Sequence, residues 1–161
     1  MIIDDSRNPS RIIRPSTLLI LALLLALAAC GKPPTAPEEE LRNWVAKGVE
    51  AAEAKERRTL VDMISPAYAD SRGNDRNAVE NILRVYFIRM NNVQLVTSIE
   101  DIQVIGNSAA EVIIKAGMAG THDGVLGFSA DAYRFAFELE RDRDDWQLIS
   151  ARWGELGKEL K

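Results

Sequence analysis

The chain has 161 residues, with 20 basic and 24 acidic side chains and a formal net charge of −4. This mildly acidic balance argues against a nucleic-acid-binding role, which usually shows a clustered basic surface. The sequence holds one cysteine and one histidine. That excludes a disulfide within the chain and a metal site built from a cluster of His and Cys ligands, so we expect no metal and no cofactor.

The first 29 residues have the pattern of an export signal. Arg7, Arg11 and Arg14 precede twelve uncharged apolar residues that run from Leu18 to Ala29. This run is shorter than the roughly 20 residues that a transmembrane helix needs. It has the length of the apolar zone in a secretory signal, so we predict a cleaved signal peptide over residues 1–29.

The residues around Cys30 resemble the lipobox of bacterial lipoproteins. The motif reads Leu27-Ala28-Ala29-Cys30-Gly31. The resemblance implies that the signal is cut before Cys30 and that this cysteine carries acyl chains, palmitate among them. Two or more chains give durable membrane anchoring. We therefore expect a lipid-anchored protein of the cell envelope that faces the periplasm. Gly31, where an Asp would favour the inner membrane, points to the outer membrane. The alternative is a short membrane anchor with an incidental cysteine.

Residues 30–37 form a short spacer rich in proline. A segment of this kind extends by about 3.1 Å per residue, so it holds the following domain within about 20 Å of the lipid. Removal of residues 1–29 takes away three Arg and two Asp, which leaves a charge near −5. We predict one folded domain over 38–153 and a polar C-terminal tail over 154–161.

Two helices are predicted at the start of the domain. Apolar residues from Leu41 to Ala52 recur with the spacing of one helical face, after a helix-start signal in Thr35–Glu38. We expect a bend near Arg57 and then a short helix that ends at Pro66.

A loop and a third helix follow. In the loop, Asp70 is predicted to bond local backbone amides and fix a turn, with Gly73 at positive φ. Asn74 or Asp75 caps the helix, and Asn91-Asn92 ends it. Its apolar stripe, the most regular in the chain, comprises Val79, Ile82, Leu83, Tyr86, Phe87 and Met90.

Four strands are predicted beyond the third helix, over residues 93–105, 109–119, 130–141 and 145–153. Gly106-Asn107 is a tight-turn signal between the first two. In the third strand, Tyr133, Phe135, Phe137 and Leu139 alternate with Arg134, Glu138 and Glu140. Helices followed by an antiparallel meander indicate an α+β domain with the helices packed on one sheet face.

This arrangement resembles the nuclear transport factor 2-like superfamily. The shared features are the bent first helix, the loop Tyr68-x-Asp70-x-x-Gly73, the amphipathic helix, four strands and the closing Trp146, over residues 38–153. The resemblance implies a strongly curved sheet around a cone-shaped pocket, and a convex sheet face that often forms homodimers. It does not decide function, since the superfamily holds isomerases, dehydratases and cyclases as well as binding domains. The competing interpretation is another helix-on-sheet fold, such as a cystatin-like arrangement.

No catalytic set is predicted. Asp62 is the one candidate for a buried base with raised pKa, and the interpretation we favour for it is a solvent-facing helix residue. His122 lies in Gly120–Gly124, a glycine-rich hairpin connection. Together with Asp123 it would make only a two-ligand metal site on a loop, so we assign it neither metal nor catalysis.

Four aromatic residues are candidates for a pocket wall: Trp44, Tyr68, Tyr86 and Tyr133. The leading hypothesis is a non-catalytic domain that binds a small apolar ligand or an envelope protein. The alternative is a small isomerase- or hydratase-type enzyme that uses an Asp or Tyr in the pocket. A third hypothesis is an assembly role through a homodimer.

Overall fold

The computed structural model describes residues 36–122, 125–127 and 132–161, with the backbone alone at 118–122 and 125–127. The predicted signal peptide, Cys30 and the spacer up to Thr35 lie outside the described residues. Residues Thr35–Lys161 form one compact unit. Within the described part of the chain, no helix is long and apolar enough to cross a membrane.

Two helices open the domain, α1 over Ala36–Glu53 and α2 over Arg57–Asp62. The bend between them is confirmed and is centred on Lys55, which has the left-handed φ of 56°. The Lys55 ammonium also donates to the carbonyl oxygens of Met90 and of Asn91, the latter at 3.0 Å. The break in the first helix therefore also ties its end to the end of the third.

The third helix, α3, spans Arg76–Arg89. Asp75 is its N-cap, and its carboxylate accepts a hydrogen bond from the Ala78 amide at 2.7 Å. No residue of α3 is fully buried. Although Ile82 belongs to the predicted apolar stripe, it is 54% exposed, because the helix lies over a cavity instead of packing onto the sheet.

The sheet is antiparallel, with the order β1-β2-β4-β5 and a short β3 that pairs with β2. Bulges at Ile99/Asp101 and Glu138/Leu139 bend the long strands and curve the sheet. The strands run as follows: β1 Asn92–Ile105, β2 Ala109–His122, β3 Val125–Gly127, β4 Ala132–Asp142 and β5 Asp145–Glu155. The predicted α+β architecture is confirmed.

Two strand boundaries differ from the prediction. His122 is not in a free connection: it ends β2 and pairs with Val125 of the unpredicted strand β3. Backbone hydrogen bonds suffice for this pairing, so a segment with few apolar side chains can form it without a strand pattern in its sequence. At the other end of the chain, β5 continues to Glu155, and Trp153 and Lys161 exchange backbone hydrogen bonds of 3.0 and 3.3 Å.

The packed part of the core lies between α1 and the concave sheet face. Leu41 from α1, Val112 from β2 and Leu139 from β4 are the largest fully buried side chains. Trp146 completes this cluster, and its indole N–H donates to a Glu40 carboxylate oxygen at 3.0 Å. The predicted alternation along β4 therefore places Leu139 inside.

The outer face of the sheet is covered by ion pairs. Glu100 contacts Lys115 at 2.7 Å and Arg134 at 2.6 Å. Arg152 likewise bridges Glu111 at 2.9 Å and Glu138 at 3.6 Å. These charged side chains mark the outer face, whereas the core and the cavity lie on the side that faces the helices.

Candidate functional site

A cavity of about 390 Å³ lies between the helices and the concave face of the sheet. Helices α1, α2 and α3 and strands β1, β2, β4 and β5 all contribute to its wall. The volume falls within the range of small-molecule pockets, which is about 300–1,000 Å³. Apart from Thr97, Tyr133 and a small polar group near Asp70, the described wall is apolar.

Aromatic side chains form much of the wall on the β4 and β5 side. Phe135 stacks on Phe137 with ring centroids 5.6 Å apart and on Trp153 at 6.5 Å. Trp44 of α1 meets Phe137 edge-on at 5.9 Å. Tyr133, two residues before Phe135 on the same face of β4, also lines the cavity. The alternation in β4 therefore supplies three successive inward rings.

The loop after α2 carries the polar part of the wall. It runs along β5, where the Ser65 amide donates to the Leu148 carbonyl at 2.9 Å and the Ala69 amide donates to the Ile149 carbonyl at 3.1 Å. These bonds hold the intervening Tyr68 against the cavity, where it is 5% exposed. The edge of the sheet thus fixes a segment that has no regular structure of its own.

Asp70 organises this loop. One carboxylate oxygen accepts from the backbone amides of Arg72 at 2.9 Å and Asn74 at 2.8 Å. The other accepts from the Asn74 side-chain amide at 2.8 Å and from the Tyr68 hydroxyl at 3.4 Å. Gly73 closes the turn with a φ of 81°. The predicted turn geometry is confirmed, and Asp70 also lines the cavity.

The electrostatics of the pair follow from burial and hydrogen bonding. Burial opposes ionisation of Asp70, but the bonds from Asn74, Arg72 and Tyr68 outweigh it and hold the pKa of this carboxyl below its usual value. Burial, and then the neighbouring Asp70 charge, raise the pKa of the Tyr68 hydroxyl. At neutral pH the pair is therefore an ionised carboxylate beside a protonated phenol.

One buried donor in the cavity wall has no acceptor. The indole nitrogen Nε1 of Trp44 makes no hydrogen bond to any described residue, although it is shielded from solvent. An unpaired buried donor costs about 1–3 kcal/mol.

The structure brings together three of the four predicted pocket residues, since Trp44, Tyr68 and Tyr133 all line the cavity. Tyr86 does not. It lies at a separate shallow groove along α3, with Ile82 and Val85, and burial raises the pKa of its hydroxyl. Tyr86 lies about one turn beyond Ile82 and Leu83 toward the C-terminal end of α3, past the α3 residues that line the described cavity wall.

The other candidates lie elsewhere. Asp62 is 70% exposed at its side chain and sits 3.8 Å from Arg76, outside the cavity wall, so it is not the buried base. The side chain of His122 and the whole of Cys30 lie outside what the structure describes. Among the described residues, no three His, Cys, Asp or Glu side chains form a possible metal site.

Sequence reasoning missed the contribution of Asn74 and of Arg72. The Arg72 guanidinium lies 4.2 Å above the Trp153 ring and donates to the Trp153 carbonyl at 3.1 Å. The spacing of Asp70 and Asn74 could have suggested an Asx-type turn with its own side-chain partner. The contact between Arg72 and Trp153 joins distant parts of the chain and leaves no local signal.

Neither a protein-family model nor a curated protein sequence matches the chain. Solved structures do match its fold. A provisionally assigned scytalone dehydratase from Novosphingobium aromaticivorans superposes with a TM-score of 0.67 at 8% identity, over 76% of this chain and 85% of that one.

Two further structures agree. A ketosteroid isomerase-like protein from Erwinia carotovora atroseptica has a TM-score of 0.60 at 10% identity, over 74% of this chain and 96% of that one. A provisionally assigned dehydratase of the nuclear transport factor 2-like family from Streptomyces avermitilis has a TM-score of 0.63 at 14% identity, with the same coverage. The fold is nuclear transport factor 2-like. At these identities the likeness concerns the fold alone, so the nuclear transport factor 2-like domain must be interpreted from its own cavity.

Proposed function

We propose that this protein is an envelope lipoprotein whose nuclear transport factor 2-like domain binds a small, largely apolar ligand and leaves it chemically unchanged. The observation that carries the proposal is the apolar cavity of about 390 Å³. Apolar surface that a ligand removes from water contributes about 25 cal/mol per Å².

The titratable groups in the wall favour binding over proton transfer. A general acid or base works best with a pKa near the operating pH. Asp70 has its pKa lowered and Tyr68 has its pKa raised, so each moves away from neutrality. Tyr133 is the remaining titratable residue of the described wall. Neither Asp70 nor Tyr68 therefore has the near-neutral pKa that favours proton transfer.

Binding can be tested with a neutral fluorescent hydrophobe, N-phenylnaphthylamine, and the chain from residue 31 onward, which contains the whole compact unit. We expect saturable binding that Ala116→Phe weakens by at least about tenfold, because the ring fills the cavity from β2. Lys115→Phe is the matched control, since its neighbouring position is on the outer face beside Glu100. Equal binding by both variants would contradict the proposal.

A second candidate is an isomerase- or hydratase-type enzyme, because two solved neighbours are described as a scytalone dehydratase and as ketosteroid isomerase-like. In that case Asp70 or a cavity tyrosine would move the proton. Turnover of a panel of enolisable ketones and hydroxylated aromatics that Asp70→Asn or Tyr68→Phe abolishes would establish this candidate against simple binding.

The anchor is a separate part of the proposal. It is supported by the lipobox-like residues 27–31 and by the short spacer before α1. Labelled palmitate should enter the wild-type chain and not Cys30→Ala, and the variant should leave the membrane fraction. Equal membrane retention of a label-free variant would remove the anchor while leaving the ligand proposal intact.

A further inference from the structure

We infer that the cavity selects a cationic ligand, an amine or quaternary ammonium group carried on an apolar body. The inference rests on the proposed function, because it assigns a charge to the ligand of that same cavity. Two independent features carry it: a buried carboxylate that has no basic partner among the described residues, and a group of aromatic rings in a wall that is otherwise mostly aliphatic.

The first feature is the charge of the wall. Asp70 is 8% exposed, and the described lining residues include no Lys, Arg or His. Its four hydrogen-bond donors are two backbone amides, one side-chain amide and one phenol, all neutral. Hydrogen bonds of this kind stabilise the ionised form without cancelling its charge. Among the described lining residues, the negative charge of Asp70 is therefore uncompensated.

The nearest basic side chain in sequence is engaged elsewhere. The Arg72 guanidinium stacks on Trp153 and donates to the Trp153 carbonyl. Among the described residues no ion pair to Asp70 is formed. A ligand ammonium would therefore meet a carboxylate whose charge the protein has left unpaired.

The second feature is the group of aromatic rings in the wall. Its members are Trp44, Tyr68, Tyr133, Phe135, Phe137 and Trp153. The faces of such rings attract cations, and enclosures of several rings are the known way in which proteins recognise quaternary ammonium groups. The guanidinium 4.2 Å above Trp153 is an instance of this attraction in the same protein.

The two features together discriminate among ligand charges. A carboxylate ligand, such as a free fatty acid, would be desolvated near Asp70 with no basic group to pair with. A neutral alcohol would gain from the apolar wall but not from the carboxylate. An ammonium would gain from the rings and from Asp70, because the interaction of opposite charges strengthens away from water.

Three probes with one apolar body test this order: adamantyl-trimethylammonium, adamantanol and adamantane carboxylate, titrated by calorimetry at neutral pH into the chain from residue 31 onward. We expect the ammonium to bind roughly tenfold tighter than the alcohol and the carboxylate to bind most weakly. The alcohol reports on the proposed function, and the ratio of ammonium to alcohol affinity reports on the charge.

Substitutions at Asp70 test whether its carboxylate causes the preference for the ammonium probe. Asp70→Asn should bring the ratio down to about threefold or less. The double variant Asp70→Asn/Asn74→Asp keeps a carboxylate in the same loop and should restore it. Asp62→Asn is the matched control, because it removes the same charge from a residue outside the wall, and it should leave the ratio unchanged. Circular dichroism verifies that each variant is folded.

The outcomes separate the two ideas. If the alcohol binds and the ammonium binds no tighter, the cationic ligand is wrong while the apolar-ligand proposal stands. If Asp62→Asn lowers the ratio as much as Asp70→Asn, the preference is a general effect of net charge and the assignment to the cavity fails. If none of the three probes binds, both ideas fail. Should Asp70→Asn not fold, the wild-type order and the double variant still decide.

Discussion

Two amphipathic helices, α1 and α3, show the same kind of apolar periodicity in the sequence and have different surroundings in the structure. On α1, Leu41 is completely buried against β2 and β4, and Val45 is 7% exposed. On α3 no side chain is fully buried, and Ile88 is 78% exposed. The first helix packs onto the sheet, whereas the third covers a cavity. Apolar periodicity alone therefore does not distinguish a helix of the core from a helix that covers a binding site.

The comparison predicts that the stability of the domain depends on α1 far more than on α3. Leu41→Ala removes a fully buried side chain and should lower the free energy of unfolding by about 2–5 kcal/mol, because a cavity remains. Leu83→Ala, on α3, should cost clearly less, since its side chain already borders empty space. Urea unfolding followed by circular dichroism measures both.

Ile88→Ala is the control for that pair, because this exposed α3 residue should change the free energy of unfolding by no more than about 0.5 kcal/mol. If Leu83→Ala proved as costly as Leu41→Ala, α3 would be an integral part of the core and the contrast between the helices would be lost.

The loop that carries Tyr68 and Asp70 ranks next in expected effect. Asp70→Ala leaves the amides of Arg72 and Asn74 without their acceptor, and such losses cost about 1–3 kcal/mol. Asp62→Ala is the matched change at an exposed carboxylate and should be nearly neutral. Thermal unfolding of the two variants side by side gives the comparison, and equal midpoints would show that the Asp70 network does not stabilise the fold.

The difference between the helices also shows how much of the fold can be predicted from the sequence. The helices, the four long strands and the Asp70 turn follow from local rules of spacing, capping and turn geometry, and the inward faces of Tyr133, Phe135 and Phe137 follow from strand alternation. Strand β3 was not predicted, because its backbone pairing with residues 120–122 needs no apolar pattern.

The residues of the cavity wall could be predicted from the sequence only in part. Trp44, Tyr68 and Tyr133 were predicted as wall residues, but Asp62 and Tyr86 are not in the wall. Spacing along a helix says that a residue lies on an apolar or polar face, and only the packing of α3 over the sheet decides which apolar positions border empty space. Whether Asp70 has a basic partner likewise depends on which residues, distant in sequence, the fold brings beside it.

The pH dependence of stability gives a smaller effect that isolates Asp70. Its pKa in the folded protein is lowered, so its contribution is present above the unfolded value of about 3.9 and is lost as the pH falls through the folded pKa. The wild type should therefore exceed Asp70→Asn in stability at neutral pH and lose that advantage in acid. Denaturant unfolding at a series of acidic pH values measures the difference. A constant gap between the two proteins would mean that the pKa of Asp70 is the same in the folded and unfolded states, so that its hydrogen bonds do not favour the carboxylate.

The smallest effect is expected on the outer face of the sheet, where neither helix lies. Arg152 pairs with Glu111 and Glu138, but its side chain is 43% exposed, so solvent screens both contacts. Surface ion pairs of this kind contribute about 0–1 kcal/mol. Arg152→Met keeps much of the apolar stem over the strand and should change the free energy of unfolding by less than about 1 kcal/mol.

High salt should shrink the difference further, because salt weakens an exposed ion pair and leaves the packing of the stem unaffected. A larger, salt-independent loss would show that the outer face stabilises the sheet through packing. The assignment of the stability to the α1 side would then have to be revised.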